Sequence, residues 1–422
     1  MFKRLSDITG FLKGLDKRSK VAISGGGVYN FGQWFVAQYS SLYAQSLGAS
    51  GSDIGLLKSI ASGVKLISSI PLGLATERYT IKRVMLLGFV CDIISTIIFI
   101  SSGNWWTLVP AFILSGSTFI QIMPLMDIIN ITVIEPKKRS TIISLSRVFL
   151  GALNAFAPLS AAYIVSSFGG INTQGMRPLY YIQLLLYVFV FFYVIKFLGT
   201  VSQKRTEETN GLSSQNGALR NYQEFFKDKH LRRWIIVRIV QTFSGSFSAA
   251  FIPLWFINVK HASPEIFGVF STLSMIVSLS LNIPVGRLAD KLGRKKTYYL
   301  LVPFTWIGGI LIVISPNPQW LIISGIIGGG GQALGSGIGG VSNVPFVTMW
   351  WEQIPAEMRG RGWGIEGLIT SGSAIPASLI AGVLWDQGFQ SQVAVLVIPI
   401  ILTALVVVPL LSTIPDTLGS KK

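Results

Sequence analysis

The sequence holds few groups that react. Its 422 residues include one cysteine, Cys91, and two histidines, His230 and His261. An intramolecular disulfide is therefore impossible, and cysteine and histidine do not cluster at metal-ligand spacing. Charge is scarce too. Asp, Glu, Lys and Arg make up 13% of the chain, against ~25% in a soluble domain. There is no phosphate loop of the G-x-x-x-x-G-K-[ST] type, so ATP is not expected to drive the protein directly. An intramembrane enzyme would need paired aspartates, histidine-rich metal spacing, or a nucleophile and base at one depth. None of these patterns is present. We expect no enzyme, no metal and no cofactor.

Apolar sequence takes the place of charge. Half of the residues are hydrophobic (50%), and the mean hydropathy is +0.57. Twelve segments approach the ~20 mostly apolar residues that a spanning helix needs: 21–45, 53–74, 82–102, 105–133, 140–168, 178–199, 234–258, 264–285, 297–315, 319–348, 362–385 and 391–414. Turn residues separate them, as in Gly48-Ala49-Ser50-Gly51 and Pro316-Asn317-Pro318. The first segment is too long for the ~7–15-residue apolar region of a signal peptide. The expected class is an all-α polytopic membrane protein.

The net charge of +17 would suit nucleic acid if it formed a patch. It lies instead in short loops on one side of the expected membrane. Examples are Arg78, Lys82 and Arg83, then Lys137, Lys138 and Arg139, then Arg359 and Arg361. Loops of the opposite side carry only Arg177 and Lys260. By the positive-inside rule both termini face the cytosol. The expected partners are a lipid bilayer, a small-molecule solute and protons, not nucleic acid. The expected setting is the plasma membrane of a prokaryote, and the expected state is a monomer. The domains read as a cytosolic tail (1–20), a first six-helix bundle (21–199), a polar cytosolic linker (200–233), a second six-helix bundle (234–414) and a C-terminal tail (415–422).

One stretch has special grammar: Gly286-Arg287-Leu288-Ala289-Asp290-Lys291-Leu292-Gly293-Arg294-Lys295-Lys296. Two glycines allow tight turning, one carboxylate is fixed among cations, and the cations hold the loop in the cytosol. It has an echo 213 positions earlier, where Ile70-Pro71-Leu72-Gly73 matches Ile283-Pro284-Val285-Gly286, and Glu77 matches Asp290. At the same offset Gly268 falls on Gly55 and Thr272 on Ser59. That is the mark of an internal duplication. The earlier copy is degraded, with Thr80 and Ile81 in place of the second glycine and its arginine.

The pattern G-x-L-A-D-x-x-G-R-K-K resembles the loop between the second and third helices of each half in the major facilitator superfamily. Glu135-Pro136 with Arg139, and Glu352 with Pro355 and Arg359, resemble the clusters before helices 5 and 11. The resemblance implies twelve helices in two pseudo-symmetric bundles rocking about a mid-membrane site. It also implies a cytosolic gate. Asp290 would meet the start of helix 11, and Asp127 would pair with the cations of loop 2–3. Gly73, Glu77, Gly286, Gly293, Arg294 and Arg359 belong to the same expected gate.

Ionisable residues inside a membrane are functional suspects, because an unpaired charge costs ~2.5–3.5 kcal/mol or more. Lys65 and Asp92 sit at similar depth on neighbouring antiparallel helices, as a structural pair or as a substrate or proton site. Lys58 lies two turns from Lys65 on nearly the same face. Arg147 and Glu366 complete the candidate charged and coupling residues. By the resemblance, helices 1, 4, 7 and 10 line the cavity. Their candidate substrate ligands are Asn30, Gln33, Gln38, Tyr39, Gln121, Gln241, Gln332 and Asn343. The function expected is secondary active transport of a small solute by alternating access, with proton coupling open. A uniporter, or a transporter-like receptor that binds without moving its solute, is the alternative.

Overall fold

The computed structural model describes residues 16–118, 129, 150–199, 229–354 and 359–414. Its elements are helical throughout these residues. In the first half they are α1 (Lys17–Ala37), α2 (Ser40–Ser46), α3 (Gly51–Arg78), α4 (Ile81–Ser101), α5 (Val109–Thr118), α6 (Ala157–Ser167) and α7 (Thr173–Phe197). In the second half they are α8 (Lys229–Ala249), α9 (Pro264–Leu292), α10 (Arg294–Ile314), α11 (Trp320–Ile327), α12 (Asn343–Gln353), α13 (Arg359–Trp385) and α14 (Phe389–Leu402). Eight helices among the described residues are long and apolar enough to cross a membrane. Their outer faces carry large apolar side chains such as Tyr163, Leu185 and Leu405, each at least 70% exposed. Water would punish such a belt and lipid does not.

Helix ends follow capping chemistry. Ser263 caps α9, with Pro264 and Glu265 in the first turn, and Asn172 caps α7 through the Gly175 amide at 2.8 Å. Gly293, at φ 98°, closes α9 and leads into α10. Helices α1 and α8 begin at Lys17 and Lys229, four and five residues before the expected starts, because polar residues continue each helix beyond the apolar run.

The segment 319–348, read in the sequence as one spanning helix, is broken. α11 stops at Ile327, short helical turns follow at Gly331–Leu334 and Gly337–Gly340, and α12 starts at Asn343. The cause is local: Gly328 at φ 150° and Gly335 at φ 89° stand where an L side chain is strained. The broken stretch also presses backbone to backbone on α10. A Cβ on Gly308 would lie 2.6 Å from the Gly328 carbonyl carbon.

The packing is uneven along the membrane normal. One apolar cluster runs through both halves at the end with few charged loops, joining Tyr39, Phe35 and Leu42 to Phe251, Phe267 and Trp385. Toward the basic end the clusters are separate. Tyr29, Phe89 and Val194 belong to the first half; Trp234, Phe346 and Trp350 belong to the second.

The break generates a test. Gly328→Ala should lower stability by ~1–2 kcal/mol or more in thermal unfolding of the detergent-solubilised protein. Gly103→Ala, where a Cβ meets nothing, should stay within ~0.5 kcal/mol.

Candidate functional site: a seal at one end and the cavities behind it

At the charge-poor end the halves meet through two small-residue crossings. On one, α3 lies against α13. A Cβ on Gly382 would stand 2.6 Å from the Gly51 carbonyl oxygen and 3.1 Å from Gly55 Cα, and Ser59 Oγ donates to the Ile375 carbonyl at 2.9 Å. On the other, α9 lies against α6. A Cβ on Gly268 would stand 3.0 Å from the Pro158 carbonyl oxygen, with Ala162 beside it. Helices in lipid associate through such close packing because lipid tails are as apolar as the helix faces.

The crossings are two copies of one contact. Gly55 and Gly268 are 213 positions apart, and Gly55 meets Ser378 and Gly382 where Gly268 meets Pro158 and Ala162. Each of the latter pairs, 158 with 378 and 162 with 382, is 220 positions apart. The polar contacts at the helix ends repeat the relation with reversed chemistry. Ser52 Oγ donates to Asp386 at 2.6 Å, while Ser166 donates to Glu265. Position 265 is 213 beyond 52, and 386 is 220 beyond 166. Serine and carboxylate have changed places. On the axis between the copies, Asn258 Nδ2 donates to Gln45 Oε1 at 3.0 Å, and these residues are themselves 213 apart.

Asp386 does more than meet Ser52. Its oxygens accept from the Gly51 and Ser52 amides at 2.7 and 2.8 Å. A carboxylate of the second half thus caps a helix of the first, where the helix N-terminus carries about +0.5 charge. Gln38 lies on the same seam. Its amide donates to the Pro158 carbonyl at 3.3 Å and accepts from Ser271 at 3.0 Å. Tyr39 packs edge-on against Phe267 at 5.7 Å. Both side chains are buried between the halves. In this structure both side chains take part in the seal. Farther along, no described atom lies within 4 Å of where a Cβ would stand at Gly286, Gly367 or Gly372.

Among the described residues, cavities lie behind the seal in each half and between them. A central one of about 370 Å³ lies between the halves and is lined by Lys58, Lys65, Ser62, Phe112, Ser246 and Ala374 among others. A second, about 220 Å³, lies within the first half and takes in Gln33, Lys58, Asp92, Gln183 and Tyr187. A third, about 190 Å³, lies within the second half beside the broken helix, with Gln241, Ser244, Thr305 and Asn343. Thr305 stands 213 positions from Asp92, so the duplication put a charged group in one inner cavity and a hydroxyl in the other.

Lys65 and Asp92 sit on α3 and α4. They face different cavities, and Asp92 Oδ2 accepts from Tyr29 at 2.8 Å, with Gln33 donating to the same hydroxyl at 3.0 Å. Lys58 borders both spaces. Its ammonium donates to Ser40 at 2.9 Å and lies 5.4 Å from the Phe112 ring. Glu366 is held by Arg238, which donates from two guanidinium nitrogens and lies 5.4 Å over the Phe346 ring. Arg294 pairs with Glu352 and reaches Asp290 at 3.9 Å; the Asp290 side chain is 72% exposed. Asn30 is on α1. Gln121, Asp127 and Arg147 lie outside the described residues. Gly73, Glu77, Gln332 and Arg359 lie on helical segments, but their side chains are outside the description.

The profile of the Major Facilitator Superfamily matches residues 22–334 and, overlapping, 235–422. The chain belongs to the major facilitator superfamily. Relatives include an uncharacterized MFS-type transporter of Bacillus subtilis (strain 168), 29% identical over 34% of this chain and 26% of that one. Another, from Methanocaldococcus jannaschii, is 25% identical over 62% of this chain and 66% of its own. The match thus spans less than two thirds of either relative. A variant of the nucleoside transporter NupG superposes at TM-score 0.72, with 12% identity, over 95% of this chain and 100% of that one. A D-xylose-proton symporter superposes at 0.69, with 14% identity, over 96% and 99%. These two share the fold.

In this superfamily member the Asp386 cap spans the seal, so weakening it should loosen the closed end. A cap is worth ~0.5–2 kcal/mol, a factor of about 2 to 30 in population. In a Cys91→Ser background with spin labels at Asn104 and Asn317, on charge-poor loops of the two halves, Asp386→Asn should raise the long-distance population in electron–electron double resonance. Unchanged distances would count against the cap.

Proposed function

We propose that the protein is a secondary transporter that moves a small solute by alternating access. Its twelve spanning helices form two pseudo-symmetric six-helix bundles, and its termini face the cytosol of a prokaryotic cell. The observation that carries this reading is the doubled crossing. Two bundles held together at one end by equivalent contacts, with separate cores at the other, are suited to rocking about a central cavity. The charge-poor end is then the outer gate, here closed, and the solute site faces inward. The protein works as a monomer, since each half supplies half of the seal.

Proton coupling is the second part of the proposal. Glu366 is tied to Arg238, which leaves it poorly placed to exchange a proton. Asp92 borders a cavity with Lys58 and shares a hydroxyl network with Tyr29 and Gln33. Binding at Lys58 and protonation at Asp92 would influence each other across that space. The nucleoside and D-xylose–proton transporters of like fold support a polar solute and a proton as cargo.

Asp290 fits the inner gate. Its exposure suits the open inner state, and in the outward-facing state it would meet the positive N-terminus of α13. Contacts present in one state shift populations and spare the fold. In proteoliposomes loaded with solutes selected by thermal shift, the wild type should show saturable uptake that an inward-acid or outward-acid gradient alters. Asp290→Asn should keep affinity and slow transport by a factor of about 2 to 30, the ratio set by ~0.3–2 kcal/mol at a helix terminus. Binding without uptake by the wild type would make the protein a receptor. Uptake indifferent to pH gradients would make it a uniporter.

A further inference from the structure

Among the described residues, the central cavity is lined by charged side chains of one sign. Among the described residues, the titratable groups on its wall are Lys58 and Lys65. They stand seven positions apart on α3, about 10 Å along the helix axis. The rest of the wall is small or apolar, as at Ala374 and Phe112, with scattered serine hydroxyls. Lys58 is the better defined of the two. Its ammonium has three donors, of which Ser40 takes one at 2.9 Å, and the Phe112 ring offers its face at 5.4 Å. Among the described residues no carboxylate bridges it. Asp92 shares the first-half cavity with Lys58, with one oxygen already accepting from Tyr29.

A cation at membrane depth is costly to keep. It persists where its remaining donors find an anion at some point in the working cycle. Phe112 beside it would receive the apolar body of that anion. The volume, about 370 Å³, is at the small end of ligand sites, which run ~300–1,000 Å³. A sugar would need amides and acids converging on many hydroxyls, and this wall presents mainly hydroxyls, methyl groups and a ring.

From these observations we infer that the central cavity takes a small organic anion, a carboxylate or sulfonate on an apolar or aromatic body, with Lys58 as the residue that holds the anionic group. The inference rests on the transport reading for its consequence, and on the cavity alone for binding. Lys58 carries the recognition whether or not Lys65, two turns away, is matched by another group.

Four near-isosteric probes separate charge from shape: benzoate, benzenesulfonate, benzamide and benzylamine. They are tested as ligands of the purified full-length protein by thermal unfolding at constant ionic strength. Benzoate and benzenesulfonate should raise the midpoint, while benzamide and benzylamine should leave it in place. Lys58→Gln should weaken benzoate at least tenfold, the scale of a lost charge-assisted hydrogen bond. Lys58→Arg should retain most of the effect. The wild-type selectivity stands as a test even where Lys58→Gln unfolds. An equal response to benzamide or benzylamine, no response to either anion, or an undiminished benzoate response in folded Lys58→Gln would overturn the inference. Labelled benzoate in proteoliposomes keeps the two proposals apart. Binding without uptake would uphold the anion site and sink the transport reading. Uptake of other solutes with no anion response would do the reverse.

Discussion

The structure depends on backbone meeting backbone at the two small-residue crossings. Gly55 with Gly382, and Gly268 with Ala162, bring helices of opposite halves close enough that carbonyl oxygens touch the facing helix. Nothing in a lipid environment draws apolar helices together except such contact and a few hydrogen bonds. The polar contacts found there are those that the close approach permits: the Asp386 cap on α3, the Glu265–Ser166 pair, and Gln38 bridging α6 and α9. A larger side chain at any crossing glycine would separate the halves before it touched the cavity.

Everything behind the seal is arranged by the same pseudo-symmetry but filled with different chemistry. The inner cavity of the first half holds Asp92, Gln33 and two tyrosines. That of the second holds Thr305, Ser244 and the soft backbone of the broken helix. The charged functions are concentrated in the first half, while the second supplies flexible glycine and a locked Arg238–Glu366 pair.

Much of this could be read from the residues. Apolar run lengths and basic loops gave the helical membrane class, and the 213-residue offset linked Gly55 to Gly268 before any contact was known. The partner relation was hidden. Helices 5 and 11 repeat at 220, because the second half carries seven more residues between its third and fifth helices, and Ser166 and Asp386 share a position without sharing a chemistry. The pairing of Lys65 with Asp92 was weighed on depth alone, and depth leaves rotation about the helix axis free. Amides and phenols such as Gln38 and Tyr39 serve both as solute ligands and as contacts between helices, and the sequence does not show the facing helix. The many glycines between Gly325 and Gly340 leave a helix soft, but whether softness becomes a bend or a break depends on the approach of Gly308 from α10.

The most direct test of the account is to lock the seal. Gln45 and Asn258 touch across the pseudo-axis at 3.0 Å. With Cys91 replaced by serine, Gln45→Cys and Asn258→Cys should be joined by mild oxidation or a short bis-thiol reagent. Alternating access through this seal predicts that the joined protein stops transporting, that reduction restores the rate, and that inner-side solute binding survives. Transport by the fully joined protein at the rate of the reduced one would contradict the account, because the halves would then have no need to part at this end.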